Sequence, residues 1–528
     1  MFNEIVLLLG LGAALLGAPE QSVARPNVLL IMADDMGFSD AGCYGGEIAT
    51  PNLDRLAAGG LRYAQFYSTG RCWPSRASLL TGYYAQQVRR DRFPDTKLGN
   101  RPEWAPLLPV YLKAAGYRTY HSGKWHLDGE PLKNGFDRSY SLHDQDRFFT
   151  PETHFLDDAP LPKPEGDSGY YATTAIADHA VKVLKEHAAN YAEVPFFHYL
   201  AFTAPHFPLQ ALQVDIDKYR KQYLEGWDAI RQARWQRLTD MGLINCPLSA
   251  LDPDIKPPYN LSWKDLEDQI GPGEVSEALP WDSLSETQRH FQATKMAIHA
   301  AMVDRVDQEI GRVLGQLRAM KTYENTVIIF VSDNGASAEQ IIRGDEHDKS
   351  SVPGSAASYL CLGPGFSSAA NTPFRLHKSW TNEGGIASPL IIHWPRGISA
   401  QGEIRQQTGH FVDIVPTLLE LTATTVPEKL AQQPDSPGKS LVPSFTKDNS
   451  VEHPYLWWYH EGRSAIRVGQ WKAVKRDDEL RWSLYDLAVD RDESEDLAET
   501  QPEQLNTLQQ LWERETAAFE RQAWGDSE

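Results

Sequence analysis

The fold of this chain is decided by the stretch NVLLIMADDMG, residues 27–37. Residues 28–32 are apolar and mostly branched, which is typical of a parallel strand covered on both faces. Asp34 and Asp35 follow directly. Ligands of open α/β sheets bind just beyond the carboxyl ends of the strands, and two adjacent carboxylates there fit a hard cation. A solvated turn explains the pair equally well when this stretch is taken alone.

Later runs repeat this pattern. They are FFHYLAF at 196–202, TVIIFV at 326–331 and LIIHW at 390–394. Asp333 and Asn334 come just after the second of these runs, so a carboxylate and an amide oxygen stand at another strand end. Two such pairs at the same edge of one sheet could close on a single cation. The pattern predicts an α/β fold with a large mixed, mainly parallel central sheet flanked by helices.

Composition narrows the classes of function. The chain has 528 residues and a formal charge of −20, which argues against a general nucleic-acid-binding protein. An anionic substrate must therefore be attracted by a local cluster of cations. The few cysteines form no CxxC pair, which excludes a disulfide scaffold and disfavours zinc; they are Cys43, Cys72, Cys246 and Cys361. The oxygen donors at the two strand ends suit Ca²⁺ or Mg²⁺ instead.

A third feature is the string CWPSRASLLTG, residues 72–82. Pro74 can open a helix at its first turn, and Arg76 then lies about one turn beyond Cys72, as a fixed cation beside the thiol. A buried cysteine before an ordinary helix is the simpler explanation of Cys-x-Pro alone. The full string resembles the signature of the type I sulfatases, in which this cysteine is oxidised after translation to formylglycine.

Further motifs carry the same resemblance. GKWHL at 123–127 is followed by GFD at 135–137, and Lys378 stands five residues before EGG at 383–385. Lys124 and His126 alternate with Trp125, so on an extended segment they would face the same way. In the family this last motif continues as Gly-Gly-x-Arg-Val-Pro. Here Ala387, Ser388 and Pro389 stand in place of Arg-Val-Pro. The resemblance covers most of the chain, least clearly over 215–280.

The resemblance implies an alkaline-phosphatase-like fold and hydrolysis of a sulfate monoester, either an aryl sulfate or a sulfated carbohydrate. It implies that a formylglycine-generating enzyme converts Cys72 to formylglycine (3-oxoalanine). The implied metal ligands are Asp34, Asp35, Cys72, Asp333 and Asn334, with Ca²⁺ favoured and Mg²⁺ as the alternative. The implied catalytic residues are Cys72, Arg76, Lys124, His126, His206 and Lys378.

Each of these catalytic residues has an expected task. Arg76 and Lys124 would hold the hydrated formylglycine near the metal, and His126 would be the base that triggers release of sulfate. His206 follows a predicted strand between two prolines, where it either packs a loop or contacts substrate. With Lys378 it would bind the sulfate and protonate the leaving oxygen, and the sequence leaves open which of the two gives the proton.

The domain organisation is predicted as follows. An apolar run at 5–18 is too short to span a bilayer, and Ser22-Val23-Ala24 fits a small-x-small cleavage site. These features indicate a signal peptide over 1–24, a periplasmic or secreted protein and no stable membrane span, although residues 1–4 lack Lys and Arg. An uncleaved tether or a misassigned start is the alternative. A catalytic domain over 25–425, with an insert at about 215–290, precedes a C-terminal α+β subdomain over 440–528 that has a small antiparallel sheet and a closing helix.

Two other functions stay open from the sequence. A phosphomonoester or phosphonate-ester hydrolase of the same superfamily would share the fold and the metal ligands. A non-catalytic protein that binds sulfated glycans would keep Cys72 as a thiol and use its tryptophans to contact sugar.

Overall fold

The computed structural model of the chain describes residues 25–525 except 95, 167, 345–346, 427–432, 478 and 480. The predicted signal peptide over 1–24 lies outside the described residues and stays a prediction. None of the helices within the described part of the chain is long and apolar enough to cross a membrane.

A large central sheet organises the described residues. Its strands are β1 (Asn27–Asp34), β2 (Leu61–Tyr67), β3 (Arg118–Lys124), β4 (Arg138–Leu142), β5 (His154–Leu156), β6 (Ala159–Pro160), β7 (Phe196–Pro205), β8 (Thr326–Ser332), β9 (Ala387–His393) and β10 (Glu403–His410). Their order across the sheet is β10-β2-β9-β8-β1-β7-β3-β4-β5-β6. The middle strands β8, β1, β7, β3 and β4 are all parallel, while β9 runs antiparallel to both of its neighbours. The predicted mixed, mainly parallel sheet is confirmed.

Helices cover both faces of this sheet. They are α1 (Pro51–Ala58), α2 (Cys72–Thr81), α3 (Leu108–Ala114), α4 (Ala172–Asn190), α5 (Gln213–Tyr219), α6 (Gly226–Asp240), α7 (Trp263–Gln269), α8 (Glu286–Ala319), α9 (Pro364–Ala370), α10 (Glu383–Ile386) and α11 (Ile414–Leu421). Alternate residues of β1 enter opposite layers: Leu29 packs with residues of α4 and α8, and Leu30 with residues of α2 and α11. The continuous apolar run of β1 follows from this double burial.

A second, smaller sheet lies in the C-terminal part. Its antiparallel strands are β11 (Leu456–His460), β12 (Arg463–Val468), β13 (Trp471–Lys475) and β14 (Ser483–Asp486), and the closing helix is α12 (Pro502–Trp524). The sequence indicates β12, β13, β14 and α12 but not β11. It also misses β10, because the segment EIRQQTGH is polar and lies at the edge of the central sheet.

The predicted insert over 215–290 consists of helices and irregular segments. Its helices α5 and α6 pack against α8 and α9, so much of it is a peripheral helical layer. One residue of the insert, Tyr259, instead lines a cleft described below. The insert therefore contributes to a peripheral helical layer and, through Tyr259, to the wall of that cleft.

Candidate active site

The predicted site residues gather at the carboxyl ends of neighbouring parallel strands. Asp34 is the last residue of β1 and Lys124 the last of β3, while His206 and Asp333 directly follow β7 and β8. These four strands lie side by side in the order β8-β1-β7-β3. Because parallel strands end at the same edge of a sheet, residues about 300 positions apart become neighbours.

The two predicted oxygen pairs meet directly. The backbone N–H of Asp35 donates to Asp333 Oδ1 at 3.2 Å. Asn334 Nδ2 donates to Asp35 Oδ1 at 2.7 Å. All four side chains, including that of Asp34, are buried. The structure thus brings Asp34, Asp35, Asp333 and Asn334 together, as the sequence predicts, whereas ligation of a metal by them stays a prediction.

Three buried cations face these carboxylates. Arg76 Nη2 lies 2.8 Å from Asp333 Oδ2 and 3.8 Å from Asp34 Oδ1. Lys124 Nζ pairs with the other oxygen of Asp34. Lys378 Nζ lies 2.8 Å from Asp35 Oδ2. Each acid of the cluster therefore has a basic partner, which buried charges need in order to persist.

Two oxygens of the cluster lack a hydrogen-bond partner within the described part of the chain. Asp34 Oδ1 and Asn334 Oδ1 are buried and accept no hydrogen bond from the described residues. Ligand atoms of Asp34, Asp35 and His206 lie within 4.8 Å of one another. Burial, followed by the charge of Asp333, raises the pKa of Asp34 to about 6. Unsatisfied buried oxygens cost free energy, so this set fits a hard divalent cation that would ligate them.

Cys72 is the first residue of α2 and is only 2% exposed. Burial raises the pKa of its thiol, and the positive charges of Lys124 and Lys378 oppose this increase. The thiol is therefore protonated at neutral pH and is a weak nucleophile as it stands. It nevertheless lies beside Asp34 and Asp333, whose charges also act on it.

His126 differs from its prediction. β3 ends at Lys124, and His126 has a φ of 51°, so the two residues do not lie on one extended segment. Lys124 points to Asp34, whereas the half-buried His126 packs against Trp73 with ring centroids 5.8 Å apart. Burial and the charge of Lys124 hold the pKa of His126 well below its usual value, so the imidazole is neutral.

His126 also lines a cleft of about 720 Å³ that borders the site at Trp73, the residue after Cys72. The other residues that line it are Trp73, Arg90, Asp91, Arg92, Phe93, Thr96, Leu98, Leu127, Tyr259, Tyr459, Glu461 and Gly462. They come from α2 and the loop after it, from the segment after β3, from the insert and from the C-terminal sheet. Pieces of chain far apart in sequence therefore form the entrance.

His206 and Lys378 both lie beside Asp35 of the acidic cluster. His206 Nε2 is 3.8 Å from Asp35 Oδ2, and its Nδ1 contacts the carbonyl oxygen of Phe207. Burial and the charge of Lys378 hold the pKa of His206 well below its usual value. Asp35 and Glu339 raise the pKa of Lys378 against the effect of burial, so the ammonium stays protonated.

Two charged residues were missed by the sequence reasoning. Arg71 Nη1 donates to Glu339 Oε1 at 2.6 Å, and Glu339 Oε2 lies 3.8 Å from Lys378 Nζ. Arg71 directly precedes Cys72, and that adjacency is a signal that could have identified it. Glu339 has no comparable signal, because it pairs with a residue 268 positions away.

Two models of known protein families match the sequence of this chain. The sequence model of the family described as Sulfatase matches residues 26–424. A second family model, described as N-sulphoglucosamine sulphohydrolase, C-terminal, matches residues 375–520.

Individual proteins resemble the chain over most of its length. An uncharacterised sulfatase of Schizosaccharomyces pombe is 33% identical over 543 residues, which cover 92% of this chain and 93% of that protein. An arylsulfatase of Klebsiella aerogenes is 31% identical over 456 residues, covering 80% and 92%. The solved structure of BT4656 in complex with its substrate D-glucosamine-2-N,6-O-disulfate has a TM-score of 0.62 at 23% identity, covering 96% of this chain and 100% of that one.

Proposed function

The chain belongs to the sulfatase family, whose members are sulfuric ester hydrolases, and from this we propose that it hydrolyses sulfate monoesters with a formylglycine formed from Cys72 beside a divalent cation. The proposal depends on one observation. Asp34, Asp35, Asp333 and Asn334 come together near residue 72, and two of their buried oxygens accept no hydrogen bond from the described residues. A phosphate or phosphonate ester is the less favoured substrate, because the relatives that cover the chain are named sulfatases.

The cation would be Ca²⁺, held by oxygens of the strand-end residues, with Mg²⁺ as the alternative. When bound, it would supply Lewis-acid polarisation of a sulfuryl oxygen. Arg76 and Lys124 serve this site by fixing Asp333 and Asp34 in place through buried ion pairs. Among the described residues, the grouped ligand atoms are carboxylate oxygens and one histidine nitrogen. Such a set, with no cysteine thiolate and no second histidine, favours these hard ions over zinc.

The modified residue would supply a hydroxyl nucleophile from a hydrated aldehyde and a second hydroxyl for the release of sulfate. The thiol of Cys72 would be a poor replacement, since burial raises its pKa and keeps it protonated. Because Cys72 is 2% exposed, a formylglycine-generating enzyme would have to reach it before α2 packs into the fold.

The neutral imidazole of His126 suits the task of a base. Its Nδ1 is buried and has no hydrogen-bond partner among the described residues, so it can accept a proton. Burial and then the charges of Lys124 and Arg76 keep its pKa low, and the proton would then be passed on readily to water in the cleft.

The proton for the leaving oxygen is assigned to Lys378. The contact of His206 Nδ1 with the Phe207 carbonyl oxygen requires a proton on Nδ1, so Nε2 of the neutral ring carries none. Lys378 keeps its proton and lies beside Asp35. His206 Nε2 would instead accept a hydrogen bond.

The substrate we propose is a sulfated carbohydrate or an aryl sulfate, met in the periplasm or outside the cell. One comparison tests the reaction: kcat/KM for 4-nitrophenyl sulfate and 4-nitrophenyl phosphate, for the purified protein and for Cys72→Ala. We expect a strong preference for the sulfate, lost in the variant. A wide preference for the phosphate, or full sulfatase activity in Cys72→Ala, would overturn the proposal.

A further inference from the structure

Arg71 retains unused hydrogen-bond donors beside the reaction centre. The residue is 8% exposed, and Nη1 is fixed by Glu339 and by the hydroxyl of Ser379. Nε and Nη2 donate to no group among the described residues, and Nε is fully buried. An arginine held so firmly by one of its amino groups presents the rest of its fork in a fixed direction.

Two aromatic rings of the entrance cleft flank this guanidinium. The Arg71 Cζ lies 5.3 Å from the ring centroid of Trp73 and 5.5 Å from that of Tyr259. Both rings line the cleft, and Tyr259 is 55% exposed. Arg71 directly precedes Cys72 in the chain and adjoins the cleft through these two rings.

The acids of the cleft are already engaged by the protein. Asp91 Oδ2 lies 2.8 Å from His460 Nδ1 and accepts from Gln86 Nε2 at 3.1 Å. Glu461 Oε1 accepts from the hydroxyl of Tyr259 at 2.5 Å. Alongside the Nδ1 of His126, which is unpartnered among the described residues, the Arg71 guanidinium therefore supplies a free cationic donor beside the cleft. Such a donor matches a planar carboxylate or a sulfate.

We propose that Arg71 binds a second anionic group, a carboxylate or sulfate on the leaving alcohol, while Trp73 and Tyr259 contact the ring that carries this group. The inference rests on the proposed function and specifies its substrate as an ester with two negative charges. The reason is electrostatic: the chain carries a net charge of −20, so a dianion is held only where a fixed local cation pairs with it.

The test uses substrates that differ only in this second charge. Matched pairs are 3-carboxyphenyl sulfate with 3-carbamoylphenyl sulfate, and the corresponding 4-substituted compounds. The measurement is the ratio of kcat/KM for the carboxylate to that for the carboxamide. It is made on the mature protein, on Arg71→Gln, on Arg71→Lys and on Arg481→Gln, a matched control whose side chain is 72% exposed in the C-terminal part.

We expect the mature protein to prefer the carboxylate of at least one pair by about 10- to 100-fold, the range of a charge-assisted hydrogen bond. Arg71→Gln should bring this ratio near one, Arg71→Lys should keep part of it, and Arg481→Gln should leave it unchanged. A ratio near one in the mature protein overturns the inference without requiring any variant to fold.

Two further outcomes also count against it. If Arg71→Gln slows both members of a pair equally, Arg71 serves the scissile sulfate or the fold and the inference is wrong. If Arg92→Gln rather than Arg71→Gln removes the preference, the anion binds at the outer part of the cleft and the inference is again wrong. Absence of turnover for every sulfate, carboxamides included, would instead contradict the proposed function.

Discussion

Asp333 is the residue on which the geometry of the site depends most. It accepts from the backbone of Asp35 through one oxygen and from Arg76 through the other. It therefore joins the loop after β1, the helix that begins at Cys72 and the loop after β8. A substitution here should affect cation binding before it affects the rest of the fold.

Removal of the Asp333 carboxylate should abolish stabilisation by calcium. In the wild type, calcium at about 100 times its Kd should raise the free energy of unfolding by about 2.7 kcal/mol, since it binds only the folded state. Asp333→Ala should show no such rise, and Asp217→Ala, a change of an exposed carboxylate, should behave as the wild type. The measurement is thermal unfolding with calcium and with chelator, and an undiminished calcium shift in Asp333→Ala would argue against the metal site.

Lys378 should matter most for esters with poor leaving groups. If it gives the proton to the leaving oxygen, Lys378→Ala should lower kcat/KM for an alkyl sulfate by about 10²- to 10⁴-fold. The loss should be smaller for 4-nitrophenyl sulfate, whose leaving group needs little protonation. Measurement of kcat/KM across aryl and alkyl sulfates tests this assignment, and an equal loss for all of them would indicate that Lys378 only binds the sulfate.

At the scale of elements, β3, β7 and α4 share a group of buried histidines. Ser122 on β3 contacts His179 of α4 at 2.7 Å and His198 of β7 at 2.9 Å. Burial lowers the pKa of His121 and of His179 to about 3, and that of His198 well below its usual value. These rings are therefore neutral in the fold.

This group predicts a loss of stability in acid. The unfolded chain binds a proton at each of these histidines near pH 6.5. The folded chain does so only near pH 3 at His121 and His179, and the pKa of His198 likewise lies well below its usual value. The free energy of unfolding should thus fall as the pH drops below 6.5, by up to about 1.4 kcal/mol per pH unit for each histidine. His198→Phe should reduce the slope of stability against pH, whereas His290→Gln, which changes an exposed histidine, should not. Urea unfolding between pH 5 and 7 measures the slope of the free energy of unfolding against pH. Equal slopes in both variants would refute the prediction.

At the scale of the whole molecule, a buried ion network joins the two sheets. Lys472 of β13 lies 2.9 Å from Glu383 of α10 and 2.8 Å from Glu493, with all three side chains inaccessible to solvent. Arg491 pairs with the second oxygen of Glu383 at 2.8 Å. The C-terminal sheet is therefore anchored to the segment that leads into β9.

Breaking this network should destabilise the protein strongly. Lys472→Met leaves Glu383 and Glu493 buried beside each other with one cation fewer, which costs about 3–5 kcal/mol. The control Lys475→Met changes a half-buried lysine of the same strand and should cost far less. Urea unfolding monitored by tryptophan fluorescence gives both values. A cost below 1 kcal/mol for Lys472→Met would mean that the network does not hold the two sheets together.

The sequence predicts those parts of the molecule that depend on local pattern. Runs such as 28–32 identify the central strands because burial on both faces demands continuous apolar residues. Asp333 and Asn334 could be expected near Asp34, since parallel strands end at one edge. Pairing across hundreds of residues leaves no local signal, so the partnership of Arg71 with Glu339 was missed. The polar edge strand β10 and the left-handed backbone of His126 were missed for the same reason: local pattern does not determine them.

The most direct measurement is the mass of the peptide that contains residue 72, taken from protein whose turnover of 4-nitrophenyl sulfate has been determined. We expect an aldehyde in place of the thiol of Cys72, and activity that rises in proportion to the fraction of chains so modified. Full activity in protein whose Cys72 is entirely an unmodified thiol would contradict the proposed chemistry.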